Sequence, residues 1–455
     1  KLGILWPAWS KADITASGIM ISSMFGAGGG NEVANGNALR ALKNKFGEEK
    51  ALALFNDLRL MHASNAIFQS NSENCFPRYE NNLCEQEASQ LVDPSALAIL
   101  DEVTEVSELV NGNNLLTQKH KLPSASNFLI AGSAKMADGH PALAGGPQTG
   151  YVSPELLMEI ELNGGGYRAT GMTVPGIAML VLVGHTDHYG WSITAGASDL
   201  VDLRAEKLCE PDGSAATQQS DHYWFKQQCI PFVKGKTKRT LDRSVHGPII
   251  AYGTVQGEPV AISHQRASRG FEADAAVSLR RLNFGEVENA ADFPKALDEI
   301  PYSMNWGYLN NHEIAYMHTG HFPIRKVGVS ANLPSWGTGE WEWQGYLPLA
   351  QKAFEVNPEK NYVTSWNNRV APNWATSDDD WGTGNYHRIE MLESRIKEAS
   401  QLTVLALNEK VLDAATEDHH ASVLLSRLEK LVPLQTAPSE QLKNMMAFLQ
   451  QWRST

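Results

Sequence analysis

Three observations predict a layered α+β fold: helical periodicity at both ends of the chain, a change to strand-like patterning at Ser126, and regular Gly, Pro and Asn breaks thereafter. Within residues 1–62, Asn37 to Phe46 and Glu48 to Met61 place Ala, Leu and Phe at spacings of three and four, with Gly47 as the stop between them. Gly-Ala-Gly-Gly-Gly between Phe25 and Asn31 reads as a flexible loop. From about Asn82 to Ala125 acidic and small residues dominate. One amphipathic stretch, Ser95 to Val110, runs there into the polar Asn111-Gly-Asn-Asn114, the pattern of a linker or a surface excursion. Strands are expected at Asn127–Gly132, Leu156–Leu162, Tyr167–Thr170, Ala178–Val183 and Trp191–Ala195, then at Ile249–Thr254, Pro259–His264 and Ile314–His318. Helices return at Asn289–Leu297 and after Arg388.

Composition narrows the function classes. The 455 residues are 42% hydrophobic and 20% charged, ample for a large core. A net charge of -13, with Lys234 to Arg239 as the basic cluster, argues against a nucleic-acid partner. The longest apolar run, Ile177 to Val183, falls far short of the roughly 20 residues that span a bilayer and reads as a buried strand. Cys75 and Cys84 form one local pair and Cys209 and Cys229 another; disulfides and free thiols both stay open.

Several motifs carry little. Gly235-Lys236-Thr237 resembles the end of a phosphate loop, but Ile230 stands where its first glycine belongs. His185-Thr-Asp187-His188 has metal-like residue types at an expected surface turn, and Asp418-His419-His420 reads as a solvated helix face. No Gly-x-Ser-x-Gly elbow exists, against an α/β-hydrolase.

Ser126-Asn127 opens an apolar strand, and Gly146-Pro147-Gln148 follows about one hairpin later. Val174-Pro175-Gly176, Gly184-His185, Trp191 to Gly196, Asp199 to Asp202 and Val245-His246-Gly247 come next in order. Met304-Asn305-Trp306, Tyr316 to Gly320, Gly337 to Trp341 and Trp366-Asn367-Asn368 complete the series. From about Trp9 to Arg388 the chain resembles the penicillin G acylases. The resemblance implies a four-layer αββα sandwich of the N-terminal-nucleophile hydrolases. It also implies a precursor cut at Ala125–Ser126, giving α- and β-type chains. Residues 1–82 then form a partial α-type segment, 83–125 a spacer, and 126–455 a catalytic segment that ends early relative to the family. The family's setting implies a periplasmic or secreted protein.

The chemistry is intelligible from the residues. A freed Ser126 holds its hydroxyl and α-amine a few ångströms apart, and an α-amine with a pKa of about 7.7–8.0 is partly neutral near pH 7–8. It can accept the hydroxyl proton as Oγ attacks an amide carbonyl. The resemblance assigns the oxyanion donors to the Ala195 N–H and the Asn367 amide, each worth roughly 3–4 kcal/mol where such donors have been measured. It has Gln148 contact substrate or nucleophile through its backbone, and Arg388 orient Asn367 and the amine. It also implies Ca²⁺ held by Glu32, Asp199, Asp202 and Asp378 with the carbonyls of Val201 and Ala331, an all-oxygen set suited to a hard cation.

Met24, Phe25, Thr149 and Ile193 are the expected acyl-pocket residues, and each departs from the family's pattern in identity or loop length. The expected substrate is a small N-acyl amide with an apolar aryl or fatty acyl group on a polar amine. An acyl-homoserine lactone is the alternative substrate, and a non-catalytic calcium-stabilised scaffold the alternative of another class.

Overall fold

The computed structural model describes residues 9–26, 28–58, 92–105, 125–149, 153, 155–175, 180–196, 198–237, 240–368, 370, 374, 388–418, 425, 428–430 and 439–452. Helix α1 (Lys11–Phe25) starts where Ser10 and Asp13 cap each other's backbone N–H groups. Gly47, at φ 82°, separates α2 (Glu32–Phe46) from α3 (Glu48–Leu58), as the apolar spacing predicts. Leu39, Ala51 and Phe55 bury the shared face of α2 and α3 with Leu333. The later helices are α4 (Ala275–Asn283), α5 (Phe293–Leu297), α6 (Arg388–Ile396), α7 (Val404–Thr416) and α8 (Glu440–Trp452).

Strands β1 (Glu102–Glu105), β2 (Ala125–Ala131), β3 (Ala142–Gln148), β4 (Met158–Gly164), β5 (Tyr167–Thr173) and β6 (Val183–Thr186) come first. Then follow β7 (Tyr189–Ala195), β8 (Val201–Cys209), β9 (His222–Phe225), β10 (Gln228–Pro231), β11 (Ile249–Val255) and β12 (Glu258–Arg266). The last are β13 (Met304–Asn310), β14 (Ile314–Thr319), β15 (Ser335–Trp336), β16 (Phe354–Val356) and β17 (Tyr362–Ser365). One sheet has the order β1-β11-β12-β8-β9-β10, with β15 parallel to β8. A second runs β16-β14-β13-β7-β6-β5-β4, and a third is β17-β2-β3.

The third sheet lies on the second, with β2 and β3 over β7 and β17 over β14. Phe128 and Ile130 point into that interface. Gly307 lets it close: a Cβ there would stand 2.6 Å from Ile130 Cδ1 and 2.9 Å from Phe128 Cε2. Leu129 and Ala131, on the opposite face of β2, pack with Ile389, Leu392, Leu407 and Val411 of α6 and α7. The outer face of the second sheet is covered by α4 and α5, where Leu282, Phe293 and Leu297 share a core with Trp306 and Tyr308. Each buried large side chain is worth about 1.5–3 kcal/mol, against about 0–1 kcal/mol for an exposed ion pair. These apolar layers therefore carry the fold.

The structure adds elements that the sequence reading did not expect, β8, β13 and α4 among them, and departs from its expectations at three further places. The strand expected over Ala178–Val183 begins instead at Val183, and residues 176–179 lie outside the described set. The Asn283 side-chain amide takes both the N–H of Val181 (2.7 Å) and its C=O (2.9 Å), so a side chain replaces the ladder there. The helix expected from Asn289 begins at Phe293, because Asn289 Oδ1 accepts from the N–H groups of Ala291 and Asp292 in a local turn. Within the segment read as a spacer, β1 pairs with β11, and Ala96, Ala98 and Leu100 are fully buried. That stretch is part of the packed fold. Asp187 and His188 form an exposed turn between β6 and β7, while His185 and the buried Thr186 end β6. Cys209 and Cys229 are disulfide-bonded, tying the end of β8 to β10. Closing a loop of 20 residues contributes about 3 kcal/mol by restricting the unfolded chain. Cys75 and Cys84 lie outside the described residues.

Strand β8 carries Arg204 and Glu206 fully buried. Glu206 Oε1 accepts from Ser263 Oγ (2.7 Å) and meets His246 Nδ1 (2.8 Å), whose Nε2 reaches Glu342 Oε1 at 2.9 Å. Burial alone would push the imidazole down. The Glu206 charge, then the hydrogen bonds to Glu206 and Glu342, outweigh it and hold His246 up at about 9. A folded pKa raised above the unfolded value of about 6.5 gives stability that is fully present below pH 6.5 and lost as pH rises through 9. The urea midpoint should fall across that window, and the fall should vanish in His246→Gln. That variant should cost about 3 kcal/mol or more near pH 7, because Glu206 loses its buried counter-charge. An unchanged midpoint in the parent between pH 7 and 10 would contradict the assignment.

Candidate active site

Ser126 sits on β2, opposite Pro147 of β3, and Ala125 lies opposite Gln148. The hairpin brings the strands unusually close at Gly145, whose φ is 102° and where a Cβ would stand 2.7 Å from the Asn127 carbonyl oxygen. By alternation Ser126 shares the face of Phe128 and so points toward the second sheet. Its backbone nitrogen donates to Asn367 Oδ1 at 3.2 Å.

Asn367 follows β17 in the left-handed region, φ 60°, which asparagine tolerates better than most residues. The turn is fixed by the Trp366 N–H donating to Asn368 Oδ1 at 3.0 Å. Asn367 Oδ1 also accepts from Arg388 Nη2 at 3.4 Å, and the guanidinium lies 5.7 Å from the Trp366 ring centroid. Asn367 Nδ2 donates to the Ala195 carbonyl at 3.2 Å. Two donors on one side and an obligate acceptor on the other fix the amide's orientation. The second Nδ2 hydrogen is left for another acceptor.

Ala195 ends β7. Gly196 N donates to Ser303 O at 3.1 Å, so Ala195 and Met304 form a non-hydrogen-bonded pair in the β7–β13 ladder. The Ala195 N–H and C=O therefore both turn away from β13. On their side β6 pairs with β7 only as far as Trp191, which leaves the Ala195 N–H clear of the ladder. Ser126, Ala195, Asn367 and Arg388 thus converge from β2, β7, the turn after β17 and the start of α6. Gln148 is exposed at the end of β3, with Thr149 half-buried beside it.

Met24 and Phe25 end α1, their side chains outside the described set. Ile193 is buried in the core beneath β7. An apolar cavity of about 140 Å³ opens between α1 and α4, lined by Ile14, Gly18, Ile19, Leu182, Tyr302 and Met304 among others. Met304 is the register partner of Ala195, so the cavity floor adjoins the end of β7. These lining residues escape sequence reasoning because α1 meets β13 only through tertiary packing.

Of the expected cation ligands, Glu32, Asp199, Asp202 and Ala331 are buried, and Asp378 lies outside the described residues. Glu32 Oε1 accepts from Leu203 N at 2.8 Å, joining α2 to β8. Asp199 Oδ1 and the Val201 carbonyl oxygen both lie close against Gly29, where an added Cβ would stand 3.0 and 3.1 Å from them. Arg325 donates to both Asp199 (2.9 Å) and Asp202 (2.9 Å), and Arg204 to Asp202 at 3.1 Å. Burial pushes the Asp202 carboxyl up, but Arg325 and Arg204 outweigh it and hold it low. Among the described residues no three His, Cys, Asp or Glu side chains group as a metal cluster would. No sequence signal pointed to Arg325, which lies more than 120 residues from its partners.

A further group sits behind Ala195. Asn305, Tyr316 and His318 are fully buried on β13 and β14, and Asn305 Nδ2 reaches Thr194 Oγ1 (3.1 Å) and the Ala195 carbonyl (3.4 Å). In the sequence these residues stood only as landmarks; their inward position on alternating strands was the readable signal.

Known proteins resemble this chain in sequence and in fold. The penicillin amidase family model matches residues 2–455. Penicillin G acylase of Escherichia coli is 28% identical over 431 residues, covering 88% of this chain and 49% of that protein. The acyl-homoserine lactone acylase QuiP of Pseudomonas fluorescens (strain Pf0-1) is 28% identical over 283 residues, covering 60% of this chain and 33% of the relative. The chain thus spans half or less of the length of these curated relatives. The solved structure of thermostable penicillin G acylase from Alcaligenes faecalis, in orthorhombic form, superimposes with a TM-score of 0.59 at 26% identity, over 71% of this chain and 58% of that one. On the match along its whole length, the chain belongs to the penicillin amidase family.

Proposed function

We propose that this chain is the precursor form of an amidohydrolase that removes a small apolar acyl group from a polar amine, with Ser126 as nucleophile. The observation that carries this reading is the Asn367 amide, which touches both the Ser126 nitrogen and the Ala195 carbonyl. Its fold would be the four-layer αββα sandwich, supported by α6 and α7 on one sheet and α4 and α5 on the other.

In the uncut chain the Ser126 nitrogen is an amide and cannot act as a base. Attack of Ser126 Oγ on the Ala125 carbonyl, with the hydroxyl proton passing to the departing nitrogen, converts that peptide to an ester. That step already frees the amine; water then hydrolyses the ester, releasing the Ala125 carboxylate and the Ser126 hydroxyl. Residues 83–125 would precede the cut in this step, and the α- and β-type chains would be its products. In the mature form the amine takes the Oγ proton as Oγ attacks the substrate carbonyl. The Ala195 N–H and the free Asn367 Nδ2 hydrogen receive the oxyanion. The amine returns its proton to the leaving nitrogen, and water repeats the sequence on the acyl ester. Arg388, fixed against Trp366, holds Asn367 Oδ1 toward the Ser126 nitrogen.

The acyl group would enter the cavity beside Met304. A cavity of about 140 Å³ matches one aromatic ring, since an apolar cavity of about 150 Å³ holds benzene. An aryl or short acyl group is therefore the preferred substrate. The Cys209–Cys229 bond favours a periplasmic or secreted setting. Ca²⁺ is proposed on Glu32, Asp199, Asp202, Asp378 and the Val201 and Ala331 carbonyls. The oxygen pair beside Gly29 supports that donor set. When bound, the ion would supply a structural link between α2 and β8.

Three outcomes are expected. Intact mass and N-terminal sequencing should find a terminus beginning Ser126-Asn127-Phe128, and Ser126→Ala should stay one polypeptide without activity on a phenylacetyl amide; efficient cleavage in the variant would sink the self-processing step. Gly18, in the middle of α1, faces cavity space with nothing within 4 Å of an added Cβ. Gly18→Leu should lower kcat/KM for phenylacetyl substrates at least about tenfold, since filling the space removes the ring's site, and should spare acetyl ones; equal losses for both would place the acyl group elsewhere. Chelation with EGTA should lower the melting temperature by several degrees (about 2–4 °C per kcal/mol lost), with recovery on adding Ca²⁺. No shift on chelation would remove calcium from the reading.

A further inference from the structure

Behind the proposed oxyanion donor runs a hydrogen-bond chain whose direction is fixed at both ends. Trp374 Nε1, which can only donate, bonds to Ser198 Oγ at 2.8 Å. Ser198 Oγ lies 2.6 Å from His318 Nε2. Ser303 Oγ lies 3.4 Å from the same nitrogen and already accepts from the Ser198 N–H at 3.0 Å. Ser198 Oγ, having accepted the indole N–H, has its own proton to give to Nε2, and the fully buried ring, held in its neutral form by desolvation, accepts it there. At the other end the Ala195 carbonyl can only accept, so the Asn305 amide presents Nδ2 to it. Asn305 Oδ1 then faces His318 Nδ1 (2.7 Å) and the Tyr316 hydroxyl (2.6 Å), both as donors. His318 must therefore be neutral with its proton on Nδ1.

The chain ends where the backbone needs it. Asn305 Nδ2 bridges Thr194 Oγ1 and the Ala195 carbonyl, and so brackets the peptide that carries the Ala195 N–H. At this point β6 no longer pairs with β7, so the ladder restrains the peptide from β13 alone.

We infer that His318, acting through Asn305, is a positioning residue that aims the Ala195 N–H at the developing oxyanion. This rests on the reading of Ser126 and Ala195 given above. A chain of fixed polarity holds a peptide at the end of a strand in one orientation, and misplacement by about 1 Å costs on the order of 10²-fold in rate. The donor acts in the transition state, so kcat carries the loss while KM holds. Tyr316 serves the same end more weakly, through one of the two bonds to Asn305 Oδ1.

The test uses the full chain and an activated phenylacetyl ester, with rates expressed per acylated site. In the parent the label should appear on Ser126. His318→Leu should lower kcat about 10- to 100-fold with KM within about twofold. His318→Asn, which keeps a donor toward Asn305 Oδ1, should recover most of the rate. Tyr316→Phe should lose about threefold and serves if the leucine variant does not fold. Nitrogen-15 NMR of histidine-labelled protein should find the His318 proton on Nδ1. An unchanged kcat in His318→Leu, equal losses in the Asn and Leu variants, or an Nε2-protonated ring would overturn the inference while Ser126 labelling stands. Absence of label on Ser126 would overturn the parent reading and this inference with it.

Discussion

The side-chain amide of Asn367 is the interaction on which the site depends. It reaches the Ser126 nitrogen on one sheet, the Ala195 carbonyl on another, and a guanidinium at the start of a helix. A primary amide meets all three at once because its oxygen and nitrogen point to opposite sides. The cost is a left-handed backbone at residue 367, small for asparagine. Because these contacts cross between layers, the spacing of the sheets sets the site. Gly307, under Phe128 and Ile130, allows the third sheet to approach closely enough for Asn367 Nδ2 to reach the Ala195 carbonyl at 3.2 Å.

Polar groups are arranged differently in the two large sheets. The second sheet buries neutral ones, namely Thr194, Asn305, Tyr316 and His318, beneath the third. Deep burial pushes His318 down to about 3, so it stays uncharged across the physiological range. The first sheet buries charges along β8, and each has an opposite partner: Asp202 with Arg204 and Arg325, Glu206 with His246. Buried charges tolerate little displacement, because an unpaired one costs several kcal/mol. The segment between β7 and β8 is held from both sides. Ser198 bonds to His318 and Trp374, and Asp199 pairs with Arg325. Strand β7 is thereby anchored to a rigid ionic framework without meeting a charge itself.

Local pattern made much of this legible. Apolar spacing and Gly47 located α2 and α3, and alternation located β2, β5, β7, β11, β12 and β14, because each signal repeats within a few residues of itself. It failed where a side chain took over backbone bonding, as Asn283 does for Val181 and Asn289 for the entry to α5. Nor did periodicity find β1, whose four residues are too short to carry a period.

By itself the sequence determined that Ser126 stands at the opening of an apolar strand, Ala195 at the close of β7, Asn367 in a turn and Arg388 where the helices return. Only the tertiary structure decided that these four meet, that Arg325 joins Asp199 to Asp202, and that Asn305 and His318 stand behind Ala195. The reason is range. A side chain's propensity and periodicity are set by neighbours within one or two turns, while these bonds join residues separated by up to 241 positions. Their geometry exists only after the sheets have stacked.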